Sequence, residues 1–425
     1  MEKLAIALFA GTYILLLLLP RFRAHIALLS AGIFIFSGIV PLNVIGSVVD
    51  WNVILMIAGT MGIVSMFIET RMPALLADLI LEKTPSVRWA VVALSLFSGF
   101  ISAFMDNVAT VLIVAPIAIS VAKKQNISPV TSVIAVSIAS NLQGAATLVG
   151  DATSIMLGGY ANLDFLDFFF TKGRVGLFWI VEVGALASTL VLFWILRSQQ
   201  QTIQPQKRTE VTDFFSSWLL VFMVVFLILA SFIPDKPDIT NGLICLGLFG
   251  VGLLRELFKG RDRAYFKGTL SDIDYFTLSL LIGLFIVIGG LTQVGVIDRI
   301  SVFIVKMGRG NLFLIYTLVV WISVLVSGFV DNIPYVATML PVVGGAANIL
   351  GVEPNLLYFA LLVGATLGGN LTPIGASANI TALGLLRREG YEVSTGEFMR
   401  LGVPFTLAAV ITGYVLVWFF WGGAV

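Results

Sequence analysis

The chain has 425 residues, of which 58% are hydrophobic and 12% charged, with a net charge of +1. A mean hydropathy of +1.02 excludes a water-soluble domain, because apolar runs long enough to enter a bilayer recur along the whole length. No basic stripe with interleaved aromatics implies nucleic acid, and the single cysteine, Cys245, excludes an intrachain disulfide and reads as a small packing residue.

The first apolar run, 4–19, has Lys3 ahead of it, Arg21 and Arg23 behind it, and no small-residue cleavage site. It reads as a retained membrane helix rather than a signal peptide. Further spans are predicted at about 26–40, 53–68, 174–196, 215–233, 239–254, 276–294 and 403–420, each long enough to cross when tilted. Two regions, 89–122 and 312–350, are apolar but carry Asp106-Asn107 and Asp331-Asn332-Ile333-Pro334 at their centres. Two more, 129–160 and 356–386, are interrupted by the Gly- and Thr-rich stretches 143–151 and 367–375. Lipid offers no partners to freed backbone groups, so such breaks persist only inside protein or beside a watery cavity. The segments 73–83 and 298–307 are amphipathic and too short to span, and read as interfacial arms. Residues 197–214 are polar, contain Pro205 and lack a hydrophobic period, which predicts a flexible cytoplasmic linker.

The chain repeats itself. Ser102, Phe104, Asp106, Asn107 and Pro116 recur 225 positions later as Ser327, Phe329, Asp331, Asn332 and Pro341. Without a gap, Gly144, Thr147, Gly150 and Ile155 recur as Gly369, Thr372, Gly375 and Ile380. Lys and Arg placement sets the orientation. With both Asp-Asn regions read as re-entrant hairpins and both termini outside, eighteen of the 25 basic residues face the cytoplasm. The expected fold class is an all-α polytopic membrane protein with two inverted-topology repeats, about ten spanning helices and two re-entrant helical hairpins. The first repeat covers 1–196, with a cytoplasm-facing hairpin at 89–122 and a broken helix at 129–160. The second covers 215–425, with an outward-facing hairpin at 312–350 and a broken helix at 356–386.

An ionisable group at membrane depth is costly and normally functional. Asp106 and Asp331 are therefore candidates for proton coupling, and each can also cap the helix that follows it. Asn107 and Asn332 bring amides to the same tips, where helix ends concentrate partial charge. Asn141, Thr147, Asp151 and Ser154 in the first broken helix, and Asn370, Thr372, Ser377 and Asn379 in the second, complete a candidate substrate- and ion-binding set. Gly144, Gly150, Gly369 and Gly375 permit an unwound backbone whose carbonyls face a cavity. Gly158, Gly159, Gly247, Gly250 and Gly252 read instead as helix-packing positions. Glu182, inside an apolar span, fits a helix-to-helix hydrogen bond as well as a relay. No Lys or Arg lies within either hairpin or either broken helix, so the site suits a small cation or a neutral polyhydroxy solute better than a large anion. The pattern implies no metal centre, no organic cofactor and no enzyme chemistry. An intramembrane aspartyl protease would need a catalytic dyad, whereas these acids repeat within an Asp-Asn motif.

Phe104-Met-Asp-Asn-Val-Ala-Thr-Val-Leu-Ile-Val-Ala-Pro116 and Ser140-Asn-Leu-Gln-Gly-Ala-Ala-Thr-Leu-Val-Gly-Asp151 resemble the ion transporter superfamily. So do Ser327-Gly-Phe-Val-Asp-Asn-Ile-Pro334 and Gly364-Ala-Thr-Leu-Gly-Gly-Asn-Leu-Thr-Pro-Ile-Gly-Ala-Ser-Ala-Asn379. That superfamily holds arsenite permeases, NhaD-type sodium/proton antiporters, the melanosomal P protein and sodium-coupled di- and tricarboxylate transporters. The second-half motifs look most like the P-protein and arsenite-permease branch. The resemblance implies a fixed scaffold, a mobile part holding the hairpins, and usually a homodimer moving like an elevator. In the carboxylate branch the hairpin tips read Ser-Asn-Thr, where this chain has Asp106-Asn107-Val108 and Asp331-Asn332-Ile333. That departure favours proton coupling over sodium-coupled carboxylate transport.

The leading expectation is proton-coupled efflux of a small inorganic solute, with arsenite or antimonite the best single guess. Arsenite at neutral pH is largely a neutral trihydroxide that hydroxyl, amide and carboxylate groups can hydrogen-bond. Sodium/proton antiport, with Asp106 and Asp331 exchanging the two cations, stands second; carboxylate transport or an anion channel stands third. The expected partners are membrane lipid, the solute and H+ or Na+, in the cell membrane of a prokaryote.

Overall fold

The structure, a computed structural model, describes residues 1–202, 208–211 and 213–423. Helices α1 (Glu2–Leu18) and α2 (Arg23–Phe36) meet at 115° across a tight turn at Pro20–Phe22. After the short α3 (Ile45–Val48) come α4 (Trp51–Glu69) and the arm α5 (Met72–Leu81). Then follow the hairpin α6 (Val87–Ser102) and α7 (Asn107–Lys124), and the broken pair α8 (Val130–Gln143) and α9 (Ala152–Ala161). A two-residue ribbon, β1 (Phe170–Thr171) against β2 (Arg174–Val175), leads into α10 (Leu177–Ile195). The second half starts with α11 (Phe215–Ala230), α12 (Thr240–Phe258) and the short α13 (Arg263–Ser271). It continues with α14 (Tyr275–Gln293), the arm α15 (Val296–Met307) and the hairpin α16 (Leu312–Ser327) and α17 (Asn332–Leu350). It closes with the broken pair α18 (Asn355–Leu362) and α19 (Ser377–Arg388), and α20 (Thr395–Trp421).

This is an all-α polytopic membrane protein. Among the described residues seven helices are long and apolar enough to cross a membrane, or nine if each sharply bent pair counts as one span. That set includes α7 and α17, the second arms of the two hairpins. Several expected spans come out shorter: α2 has 14 residues and α11 has 16.

The pairs α8/α9 and α18/α19 are interrupted at matching places. The backbone is extended at Thr147 (φ −128°, ψ 166°) and at Asp151, and again at Thr372 (φ −127°, ψ 161°) and Ala376. The second break begins with a five-residue π-helical turn, Val363–Leu367, a wider winding that often marks functional sites. Glycine is needed where these strands pass the hairpin tips: a Cβ on Gly375 would lie 2.5 Å from the Gly369 carbonyl oxygen and 2.7 Å from that of Ser327.

The scaffold crosses between halves, with α12 packed on α4 and α2 on α14. Small residues let these backbones touch. A Cβ on Gly59 would sit 2.5 Å from the Leu246 nitrogen, and one on Gly283 would sit 2.6 Å from the Ala27 carbonyl carbon. Gly252 is packed in the same way, against Met66 and Leu219, and Gly158 and Gly159 also have close neighbours. Among the described residues nothing in this chain packs against a Cβ position at Gly247 or Gly250.

The linker expected at 197–214 lies partly outside the described residues, but its flanks are held. Val87 and Arg88 donate their N–H groups to the Gln201 and Gln199 carbonyls, at 2.9 and 3.0 Å. Arg208 forks onto Glu82 at 2.6 and 2.8 Å, and Thr209 gives both N–H and hydroxyl to one Asp78 oxygen. Polar residues that read as a free tether are thus hydrogen-bonded to the arm and hairpin next to them.

Candidate functional site

Each hairpin tip is a short turn closed by an acid that caps the second arm. Asp106 accepts the Ala109 N–H at 3.0 Å, and Asp331 accepts that of Ile333 at 3.1 Å. Each tip is clipped to its own broken helix by a matched threonine. The Thr147 hydroxyl donates to the Ala103 carbonyl, and the Thr372 hydroxyl to the Gly328 carbonyl. Thr147 and Thr372 are therefore buried tip anchors and do not line the cavity described below.

Behind the tips an amide network joins the two halves. The Asn107 amide donates to Asn141 Oδ1 at 3.3 Å, and that of Asn141 donates to Asn370 Oδ1 at 3.1 Å and the Thr366 carbonyl at 2.9 Å. Asn370 donates to the Ile138 carbonyl at 2.8 Å, and Asn379 donates back to Asn370 Oδ1 while accepting from Ser137. Asn370 and Asn379 are fully buried and their partners are protein groups, so both cross-brace the breaks. Ser154, also fully buried, donates to the Gly144 carbonyl at 3.4 Å.

The two acids differ in their surroundings. Arg23, at the start of α2, places Nη1 3.1 Å from Asp331 Oδ2 in a pair whose side chains are only 14% and 11% exposed. The Ser377 hydroxyl donates to the same oxygen at 3.1 Å. Tyr13 on α1 donates to the Pro334 carbonyl at 2.7 Å and meets the Thr338 hydroxyl, so the N-terminal helices grip the second hairpin twice. No Lys or Arg was expected between 89 and 122, 129 and 160, 312 and 350 or 356 and 386; the cation that reaches Asp331 is Arg23 of α2, outside those ranges. Among the described residues Asp106 has no such ion-pair partner, and its charged neighbours are Asp274 and Asp151.

Asp106 opens on a cavity of about 500 Å³ between the C-terminal half of α4, the start of α14 and both tips. Of the expected set, Asp106, Asn107, Asn141, Asp151, Asn332 and Ser377 line it. Two more acids, Asp272 and Asp274, complete the wall; among the described lining residues none is Lys, Arg or His. Asp272 accepts the Ser65 hydroxyl at 2.6 Å and Asp274 caps α14 through Thr277. Sequence reading missed both because an acid ahead of an apolar span looks like an ordinary loop residue. Asp151 caps α9 through the N–H groups of Thr153 and Ser154, at 2.6 and 3.0 Å, while its Oδ2 is buried without a hydrogen-bond partner. Glu182 Oε1 is also buried and unpartnered, so that atom makes no helix-to-helix bond.

A family profile described as citrate transporter matches residues 13–364 and 269–424. The chain belongs to the citrate transporter family. It is 32% identical to an uncharacterized transporter of Mycobacterium tuberculosis over 98% of each chain. It is 25% identical to the human P protein, over 97% of this chain and 59% of that protein. Among solved structures, the YdaH transporter of Alcanivorax borkumensis matches 89% of this chain and 87% of its own, with a TM-score of 0.61 at 14% identity. Neisseria gonorrhoeae MtrF, described as illuminating a class of antimetabolite efflux pumps, matches 92% and 83%, with a TM-score of 0.58 at 13% identity. At such identities the two structures show a shared fold alone. This citrate transporter family member is therefore a membrane transporter and not an enzyme.

Proposed function

We propose that the chain is a proton-coupled secondary transporter that exports a small uncharged inorganic solute, arsenite or antimonite being the best fit. The hairpins and broken helices move against the α2–α4–α12–α14 scaffold as an elevator. The observation that carries this is the cavity wall, with four carboxylates and no cationic residue among its described lining. A free polycarboxylate would meet like charges there, so citrate enters only with its charge offset by bound cations. A neutral trihydroxide can donate hydrogen bonds to the same acceptors. Sodium/proton antiport is the second reading, favoured by the same acids.

Two inverted repeats, covering 1–196 and 215–425, complete the proposal. Six ion pairs support it, because each joins residues that charge placement puts on one side. Lys172–Glu353, Lys236–Asp164 and Arg299–Glu2 fall outside, and Lys123–Glu389, Arg208–Glu82 and Arg255–Asp213 inside. Both termini then lie outside, in the cell membrane of a prokaryote, and the unit is a homodimer. The test is proton movement in proteoliposomes under an imposed pH gradient, adding arsenite, antimonite, sodium or citrate in turn. A response to the metalloids supports export, one to sodium alone supports antiport, and one to citrate alone rejects both.

A further inference from the structure

The two scaffold helices at the centre of the molecule begin alike. Asp50 caps α4 by accepting the Val53 N–H at 3.0 Å, and Asp274 caps α14 by accepting the Thr277 N–H at 3.0 Å. Each helix has 19 residues, or about 28 Å of rise. They point opposite ways. The start of α14 and the end of α4 border the cavity already described, whereas the start of α4 and the end of α14 border a second cavity of about 1290 Å³. Asp274 therefore stands in one mouth and Asp50 in the other.

A capping aspartate alone says nothing of a ligand; its surroundings do. In the first cavity Asp274 faces Asp106, with Asp151 and Asp272 in the same wall. Asp151 is 6% exposed and its Oδ2 has no hydrogen-bond partner. In the second cavity Asp50 has Asp238 as its charged neighbour, with Asp164 and Asp235 nearby. The cation in that wall, Lys236, is engaged by Asp164 and the Ala230 carbonyl, and Tyr160 is neutral at ordinary pH. There Asn241, also 6% exposed, has an unpartnered Oδ1. Both orphaned atoms are acceptor oxygens in acid-lined cavities. A cation or a hydrogen-bond donor satisfies them, and an anion does not.

We infer that Asp50 and Asp274 are equivalent loading residues for a monovalent cation, proton or sodium, one at each mouth and each serving its own face. This rests on the secondary transport proposed above and adds residues outside the hairpins and broken helices. Asparagine caps a helix as well as aspartate does, so Asp50→Asn and Asp274→Asn remove charge while keeping the helix start. The full-length protein is reconstituted in proteoliposomes of known orientation. Radioactive sodium uptake at fixed pH, and internal pH change without sodium, are titrated from each face.

Asp274→Asn should raise the half-saturating cation concentration about fivefold from its own face and leave the other unchanged, with Asp50→Asn doing the reverse. The arm that shifts identifies the cation. Cation-dependent flux that is unaltered in both variants, or altered equally at both faces, overturns the inference and leaves the transport reading standing. Unaltered Asn variants beside thermally unstable Asp→Ala variants also overturn it, reducing both residues to caps. Wild-type flux independent of both cations overturns the inference and the transport reading together.

Discussion

Asp106 and Asp331 sit in nearly identical sequence, yet one faces a cavity and the other an arginine. Asp106→Asn should abolish proton movement without lowering the melting temperature, since the amide still caps α7; a destabilised variant would reduce the acid to a structural cap. Arg23→Gln should cost about 3–5 kcal/mol by leaving a buried carboxylate unpaired, read from thermal melts in detergent. The double variant with Asp331→Asn should recover most of that loss, and additive losses would contradict the pairing. The acids themselves are legible in the sequence because a charge inside an apolar run stands out. Their inequality is not, because Arg23 lies 308 positions from Asp331 and belongs to an unremarkable basic loop.

At the scale of elements, the tips are positioned by two equivalent clips. Thr147→Val and Thr372→Val should each destabilise by about 1–3 kcal/mol, since each leaves a buried tip carbonyl without its donor; a loss at one site alone would argue against equivalent roles. At the linker, Arg255 at 2.8 Å holds the Asp213 carboxyl well below its usual range, helped by Lys259 and the Phe215 N–H. A lowered folded-state pKa gives stability that is complete above the ordinary carboxylate value, about 4, and is lost as pH falls through the lowered one. Because Asp213 is largely solvated the contribution is small, and Asp213→Asn should match the wild type only in strong acid. The apolar helices are readable, and Asp-Asn pairs and Gly-Thr runs mark where polar residues interrupt them. The docked linker flanks are not, because hydrogen bonds to Asp78 and to the start of α6 leave no periodic signal.

Across the whole molecule, polar groups at membrane depth brace the breaks, line the cavity or, like Asn107 and Asn141, do both. Asn370→Ala should lower stability through the amide network, whereas Asn332→Ala, at the cavity, should lower flux and leave the melting temperature in place. Sequence pattern cannot make that division: amides, hydroxyls and acids beside glycine look alike until the two halves are folded against each other. The cavity's acids also come from three separate regions, the first hairpin, the first broken helix and the loop ahead of α14. The most direct test of the central claim is internal pH in proteoliposomes carrying wild type or Asp106→Asn, with arsenite added under a pH gradient. Proton movement in the wild type and none in the variant is the predicted result. Equal movement in both would remove the acid-lined cavity from the coupling mechanism.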